Sequence, residues 1–236
     1  MDLKDKVAYI TGGSKGIGLG VARSLLEKGL KVAISGRSSA SLEKAKQLLG
    51  DGENVLCIPS DVTQLDDEVK AIRKILAVWG QLDVVLANAG IGYFSAVDQM
   101  RPDDWHQMIN TNLNGVFHTL KAGVEALKQS KGYYITLASL AGTNFFASGA
   151  GYNATKFGVV GFTQAAMLDL RKYDIKVTTI MPGSVATHFN NNEPTSKDAW
   201  KIQPEDIGKL VVDLLQMHPR TLPSKIEVRP TRPDLK

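Results

Sequence analysis

Seven short apolar runs, KVAYIT, KVAIS, NVLCI, LDVVLA, GYYITLA, IKVTTIM and KIEVR, recur along the chain with helical spacing between them. Val21, Leu25 and Leu26 repeat at one helical turn after the first run, and Leu42, Ala45, Leu48 and Leu49 do so after the second. Strands that alternate with helices need crossover connections, and right-handed crossovers lay the strands parallel with helices on both faces. A sheet covered on both sides has no solvent face, which explains runs that are apolar throughout rather than at every second residue. The pattern predicts an α/β fold: a doubly wound sandwich with a seven-stranded parallel sheet, built by residues 1–236 as a single domain.

Hydrophobic residues at 43% and charged residues at 22% supply a core of ordinary size and argue against disorder. The single cysteine, Cys57, excludes an internal disulfide and a multi-cysteine metal site, and in NVLCIP it reads as a buried, inert thiol of a reducing compartment. The beginning of the chain, MDLKDKVAYITGG, lacks a secretory apolar segment, and no stretch approaches 18 uncharged apolar residues. A cytoplasmic protein with no membrane span is expected. The formal charge of +4 is mild and scattered. The densest basic part is the tail, where Arg220, Lys225, Arg229, Arg232 and Lys236 face only Glu227 and Asp234, a solvated terminus rather than a nucleic-acid surface.

Two segments break the regular rhythm. From Pro102 to Gln129 the apolar residues Trp105, Met108, Ile109, Leu113, Val116 and Leu120 keep helical period, while Asn110, Asn112, Asn114 and Gly115 interrupt it, so a long element with a bend is expected. Residues 183–200, GSVATHFNNNEPTSKDAW, read as a long polar loop, and 184–200 as a substrate-side lid over a small or open site.

The first apolar run ends in TGGSKGIG, with Gly12, Gly16 and Gly18 in G-x3-G-x-G spacing. A turn without Cβ atoms lets backbone N–H groups approach a pyrophosphate, and the positive end of the following helix adds attraction. About 20 residues further on, a nucleotide-binding βαβ unit would carry an acid for the adenosine ribose, or an Arg beside a 2′-phosphate. Here the second run ends ISGRSS: Gly36 stands in the acid's place and Arg37 follows. With Lys15 in the glycine turn and Ser38 beside it, Arg37 favours NADP(H) over NAD(H).

These motifs together resemble the short-chain dehydrogenase/reductase family, from Lys6 to about Pro230. TGGSKGIG (residues 11–18, including Ser14 and Ile17) matches the glycine motif, and DVT, with Asp61 and Val62, the adenine segment. NAG (Asn88, Ala89, Gly90) matches the segment lining the cofactor site. NTNLNG places Asn112 at the family's structural and proton-relay asparagine, and ITLASLAG places Ser139 at its serine. YNATK supplies Tyr152 and Lys156, and MPGSVAT supplies Pro182, Gly183, Val185 and Thr187 against the nicotinamide. The resemblance implies a Rossmann-like fold, a nicotinamide cofactor and oxidoreductase chemistry.

The chemistry of the pair can be read from the residues themselves. Adding hydride to a carbonyl builds negative charge on oxygen, which needs a hydrogen-bond donor and a proton source within reach. Tyrosine is both, and its ordinary pKa near 10 falls beside a cation. Residues i and i+4 share a helix face, so Lys156 can approach Tyr152 or a ribose hydroxyl next to it. Ser139 follows an apolar strand, where open α/β sheets bind ligands, though a turn or capping role is the alternative. For Asn112 the alternative is a side chain bonded to backbone. His106, His118, His188 and His218 show no metal-ligand spacing, so no metal site is expected; His188 alone lies in the lid.

Tyr93, Phe94, Phe145 and Phe146 flank the motifs and could wall an apolar pocket or serve as core or subunit contacts. The expected reaction is NADPH-dependent reduction of a small-molecule ketone or aldehyde. Tyr152 donates the proton, Ser139 polarises the carbonyl and Lys156 lowers the tyrosine pKa. Alternatives are a 3-oxoacyl-[acyl-carrier-protein] reductase, an NAD-linked alcohol dehydrogenase and, from another class, a non-catalytic NADP(H)-binding sensor. Lys128, Lys131, Arg171 and Lys172 are candidates for a basic rim facing an acidic acyl carrier protein. The resemblance implies a homodimer or homotetramer through the helices after residues 102 and 152, although KIEVRPTRPDLK replaces the family's glycine-containing closing segment.

Overall fold

The computed structural model describes residues 3–50 and 52–233; Asp234 and Lys236 of the basic tail lie outside the described residues. Strands β1 (Val7–Thr11), β2 (Lys31–Gly36), β3 (Val55–Pro59), β4 (Val84–Ala87), β5 (Tyr133–Leu137), β6 (Lys176–Pro182) and β7 (Lys225–Val228) form a parallel sheet in the order β3-β2-β1-β4-β5-β6-β7. Helices α1 (Gly16–Glu27), α2 (Ser39–Leu48), α3 (Leu65–Trp79), α4 (Pro102–Met108), α5 (Gly115–Ser130), α6 (Ala150–Leu170) and α7 (Pro204–Gln216) connect them. The doubly wound, Rossmann-like sandwich expected from the sequence is present.

Alternate strand residues feed two separate cores. Ala8 and Ile10 of β1 pack with Val21, Leu25, Leu42 and Val211 from α1, α2 and α7. Val7 and Tyr9 pack with Ile72, Ile75, Leu127 and Val159 from α3, α5 and α6. Each buried Leu or Ile contributes about 1.5–3 kcal/mol, so both faces of every inner strand are committed to the interior. The edge strands are β3 and β7. Strand β7 leaves Lys225 and Glu227 exposed, and charges there discourage pairing with another strand.

The interrupted segment is a bend of a definite kind. Helix α4 runs into a π-helical turn over Ile109–Asn114, from which α5 continues. The wider turn carries Asn112 to the inside, where it is 1% exposed.

The loop after β6 is more ordered than its composition suggests. A parallel bridge between Val185 and Ile202 closes its base, and single 3₁₀ turns cover Phe189–Asn191 and Ser196–Asp198. Thr195 and Asp198 cap the second turn reciprocally.

From β1 the chain winds outward through β2 to β3, then returns to lay β4 on the other side of β1. That reversal opens a crevice at the carboxyl ends of β1 and β4, where sheets of this kind bind ligands. Among the described residues no helix is long and apolar enough to cross a membrane, and no cluster of His, Cys, Asp and Glu could hold a metal ion.

Candidate active site

The crevice is built on hydrogen bonds between the glycine turn and the end of β4. Thr11 Oγ1 accepts from the backbone N–H groups of Asn88 (3.0 Å) and Ala89 (3.1 Å), while Asn88 Nδ2 donates to the carbonyls of Thr11 (2.8 Å) and Gly12 (3.0 Å). The approach is too close for side chains. A Cβ on Gly18 would lie 2.6 Å from Asn88 Nδ2, and one on Gly12, whose φ is +64°, 2.9 Å from Ala89 Cα.

Helix α1 starts immediately behind this turn. Its N-cap, Lys15, makes no side-chain cap, and no acidic residue lies in its first turn. The N-terminal N–H groups and the positive helix end are therefore not neutralised by a local carboxylate, and the cradle fits the pyrophosphate of a dinucleotide. Ser14 Oγ stands beside Gly36, and Lys15, Arg37 and Ser38 are exposed at the ends of β1 and β2. Ser38 also caps α2, accepting from the Ser41 backbone N–H at 3.3 Å and the Ser41 hydroxyl at 3.2 Å, which leaves its own proton to donate.

The other residues expected to meet the cofactor line the same edge. Asp61 Oδ1 accepts from the Thr63 N–H at 2.9 Å, and the buried Val62 presents its carbonyl to His118 Nδ1, also at 2.9 Å. Gly183 donates to the Val228 carbonyl at 2.8 Å, which ties Pro182 and Gly183 to β7. Thr187 faces Gly16, and its Oγ1 accepts from the Phe189 N–H at 3.3 Å. A cleft of about 120 Å³ between α1 and this loop is lined by Gly16, Arg23, Ala186, His188 and Pro194 among others.

Ser139 lies just past β5, where its Oγ accepts from the Ala141 N–H at 3.1 Å. Asn153 Nδ2 donates to the carbonyls of Ala141 and Asn144, both at 2.7 Å, and so fastens the Ser139 turn to α6. Helix α6 carries Tyr152 in its first turn and Lys156 one turn later, and the Ser139 side chain lies near enough to the Tyr152 phenol to pull its pKa down. Asn112 Oδ1 accepts from the Ile91 N–H, and its Nδ2 donates to the Ile91 carbonyl, both at 2.8 Å; a further bond to Thr155 Oγ1 at 3.1 Å joins it to α6. These bonds fasten Asn112 both to the Ile91 backbone and to α6. Ser139 likewise caps its own turn.

Burial pushes the Tyr152 phenol up to about 12, against a smaller downward pull from the Ser139 hydrogen bond. Burial also brings Lys156 down to about 8. The Lys156 ammonium donates to the Leu137 carbonyl at 3.0 Å and stands 5.6 Å from the Tyr152 ring centroid.

The sequence profile of the short chain dehydrogenase family matches residues 6–198. The chain belongs to that family. An uncharacterized oxidoreductase of Staphylococcus aureus (strain MRSA252) is 36% identical over 231 residues, covering 97% of this chain and 98% of its own. An alcohol dehydrogenase of the archaeon Thermococcus sibiricus, solved with 5-hydroxy-NADP, superposes with a TM-score of 0.91 at 31% identity, covering 98% of this chain and 100% of that one. A 3-ketoacyl-(acyl-carrier-protein) reductase of Brucella melitensis, solved with NADH, has a TM-score of 0.89 at 25% identity, covering 98% and 99%. This short-chain dehydrogenase is an NAD(P)-dependent oxidoreductase.

One group of expected residues does not reach the dehydrogenase's crevice. Lys128 and Lys131 end α5, and Arg171 and Lys172 follow α6, so all four lie near the amino ends of β5 and β6, across the sheet from the crevice. Lys128 pairs with Glu125 and Lys131 with Asp174, both at 2.8 Å. They form no rim at the mouth, because helices that cross back over a parallel sheet end at its amino edge.

The aromatic residues separate by position. Phe94 packs edge-on to Tyr152 at 5.4 Å between centroids and meets Phe146 at 5.9 Å. Tyr93 turns away to bond Gln107, and Phe145 is 87% exposed. Phe189, which the sequence reading missed, lies 5.6 Å from the Tyr152 ring. The lid is thus not purely polar. A single Phe inside a polar run carries no periodicity to reveal it, and the pairing of Thr11 with the β4 end was equally silent, since it depends on register.

Proposed function

We propose that the protein, as one domain over residues 1–236, reduces a ketone or aldehyde carbonyl to the alcohol at the expense of NADPH. The observation that carries this reading is the meeting of Ser139, Tyr152 and Lys156 at the carboxyl edge of the sheet, beside a glycine turn whose helix carries no acidic residue in its first turn. Reduced nicotinamide, when bound, supplies the hydride.

The chain supplies the rest. Ser139 donates a hydrogen bond to the carbonyl oxygen and Tyr152 hands it a proton as charge develops. Burial keeps the phenol protonated, the form that reduction needs, and an alkoxide is a stronger base than even a phenolate with a conjugate acid near 12. Lys156 turns from the Leu137 carbonyl to a ribose hydroxyl of the cofactor, where its charge lowers the phenol pKa and aids the transfer. Asn112 fixes the Gly90–Ile91 backbone beside Lys156 and, as in the family, holds a relay water.

Arg37, Lys15 and Ser38 bind the 2′-phosphate of NADP(H), with no carboxylate at Gly36 to oppose it. Asp61 and Val62 hold the adenine. Asn88, Ala89, Gly90, Pro182, Gly183, Val185 and Thr187 line the cofactor towards its nicotinamide, and Ser14, Gly16 and Ile17 complete the phosphate turn. The protein works in the cytoplasm as a homodimer or homotetramer through α5 and α6, where Phe117, Phe157 and Leu168 are 47%, 44% and 52% exposed. An acyl carrier protein finds no basic rim at the crevice, and a small-molecule substrate is preferred.

The test is NADPH oxidation by purified protein against ketones, aldehydes and a 3-oxoacyl thioester. Turnover with kcat/KM at least about tenfold higher for NADPH than for NADH is expected. Tight NADPH binding without turnover of any carbonyl would return the chain to the sensor class.

A further inference from the structure

Three phenylalanines from three separate segments meet beside Tyr152: Phe94 and Phe189 face its ring, and Phe146 packs on Phe94. Phe94 follows β4, Phe146 precedes α6 and Phe189 belongs to the loop after β6. The Phe94 and Phe189 rings stand 6.4 Å apart in an edge-to-face arrangement, and each also contacts Tyr152. They are 40% (Phe94), 48% (Phe146) and 37% (Phe189) exposed. Apolar ring surface gathered around a hydroxyl and left open to solvent is the composition of a ligand site, not of a core.

Two of the rings are seated on glycines. A Cβ on Gly92 would lie 2.5 Å from Phe189 Cζ, and one on Gly149 would lie 2.5 Å from Phe146 Cε2. Asn190, left-handed at φ 55° and ψ 43°, turns the chain immediately after Phe189. The segments that carry the rings, residues 90–97, 140–151 and 184–192, contain no Asp, Glu, Lys or Arg. A substrate carboxylate or phosphate held among these rings would meet no charged partner from them, and a neutral ring would lose nothing.

We propose that Phe94, Phe146 and Phe189 form a subsite for an aryl group, and that the substrates are neutral ketones with an aromatic ring on the carbonyl carbon or one carbon away. The proposal rests on the carbonyl-reductase reading. Hydride from NADPH bonds to the carbonyl carbon, the C=O π pair moves to oxygen, and oxygen takes the Tyr152 proton, giving the aryl alcohol and NADP⁺. Solvent restores the proton to Tyr152. A ring is favoured over an alkyl chain because edge-to-face partners are already arranged, and the substrate ring exchanges one such contact for another.

Steady-state kinetics with NADPH and three neutral ketones, phenylacetone, cyclohexylacetone and 2-butanone, test the proposal. Expected is a kcat/KM for phenylacetone at least about tenfold above 2-butanone and about threefold above cyclohexylacetone. Phe189→Ala shrinks the phenylacetone to 2-butanone ratio at least about fivefold, while the NADPH dissociation constant stays within about twofold. Gly92→Ala, which keeps the ring but pushes it off its seat, shrinks the ratio in the same direction, and Phe94→Leu is the second wall variant if Phe189→Ala fails to fold. Equal kcat/KM for aryl and alkyl ketones, or a ratio that survives both Phe variants, overturns the aryl subsite and leaves the reductase standing. No turnover of any ketone overturns the reductase and the subsite together.

Discussion

Lys156 and Tyr152 share one face of α6, yet the lysine ammonium is bonded to the Leu137 carbonyl at 3.0 Å and stands 5.6 Å from the tyrosine ring centroid. Both groups are held away from their charged forms by burial, the phenol up to about 12 and the ammonium down to about 8. On this account cofactor binding re-aims Lys156 and brings the phenol down. A tyrosinate difference titration against Tyr152→Phe should place Tyr152 well above 10 in the free protein and at least about one unit lower with NADP⁺ bound. Lys156→Met should remove the drop. An equal pKa with and without NADP⁺ would contradict the proposed role of Lys156.

The same lysine carries a stability signature. A base whose folded pKa lies below its unfolded value of 10.5 penalises folding while it must be charged, so its contribution improves as pH rises from about 8 to 10.5. Lys156→Met should therefore melt at or above wild type at pH 7, with the advantage shrinking towards pH 10. Thermal melts at both pH values check the sign.

Arg37 is exposed at the end of β2, one residue after Gly36. In the proposed complex, Arg37→Asp removes a charge-assisted partner of the 2′-phosphate and adds a repelling carboxylate. NADPH should bind at least about tenfold more weakly, with NADH binding equal or better. Isothermal titration of both cofactors reads this directly, and an unchanged preference would move the phosphate site elsewhere.

Glu68 is fully buried on α3, with Oε1 accepting from the Tyr9 hydroxyl at 2.9 Å and the Ser60 hydroxyl at 2.7 Å. Burial raises its pKa above 4.5, outweighing the opposing effects of Ser60, Tyr9, Thr119 and His118. A raised acid binds more protons folded than unfolded, so its contribution to stability is present below 4.5 and falls as pH climbs through the folded value. The slope is about 1.4 kcal/mol per pH unit inside that window. The melting temperature of Glu68→Gln, relative to wild type, should rise between pH 4.5 and 7, and a constant difference would mean that Glu68 stays ionised.

How much of this was legible in the chain depended on period and on local spacing. The β1, β2, β4, β5 and β6 runs are buried on both faces, so their apolar continuity announced the sheet, and the asparagines at 110, 112 and 114 announced the break that became the π-helical turn. The i, i+4 spacing put Tyr152 and Lys156 on one face, but spacing does not say where a four-carbon side chain points, and Lys156 points to Leu137. Lys128, Lys131, Arg171 and Lys172 looked like a rim until the topology put them at the far edge. Phe189 and Gly92 meet across about a hundred residues, a relationship that no local pattern encodes.

In the proposed reaction Tyr152 delivers the proton while other groups hold the cofactor. Phenylalanine at position 152 keeps the ring and its contacts with Phe94 and Phe189 and loses only the hydroxyl. NADPH oxidation with the best ketone found for wild type should fall by at least about a thousandfold in Tyr152→Phe, with NADPH affinity within about threefold. Turnover retained within tenfold, with the cofactor still bound, would contradict the account.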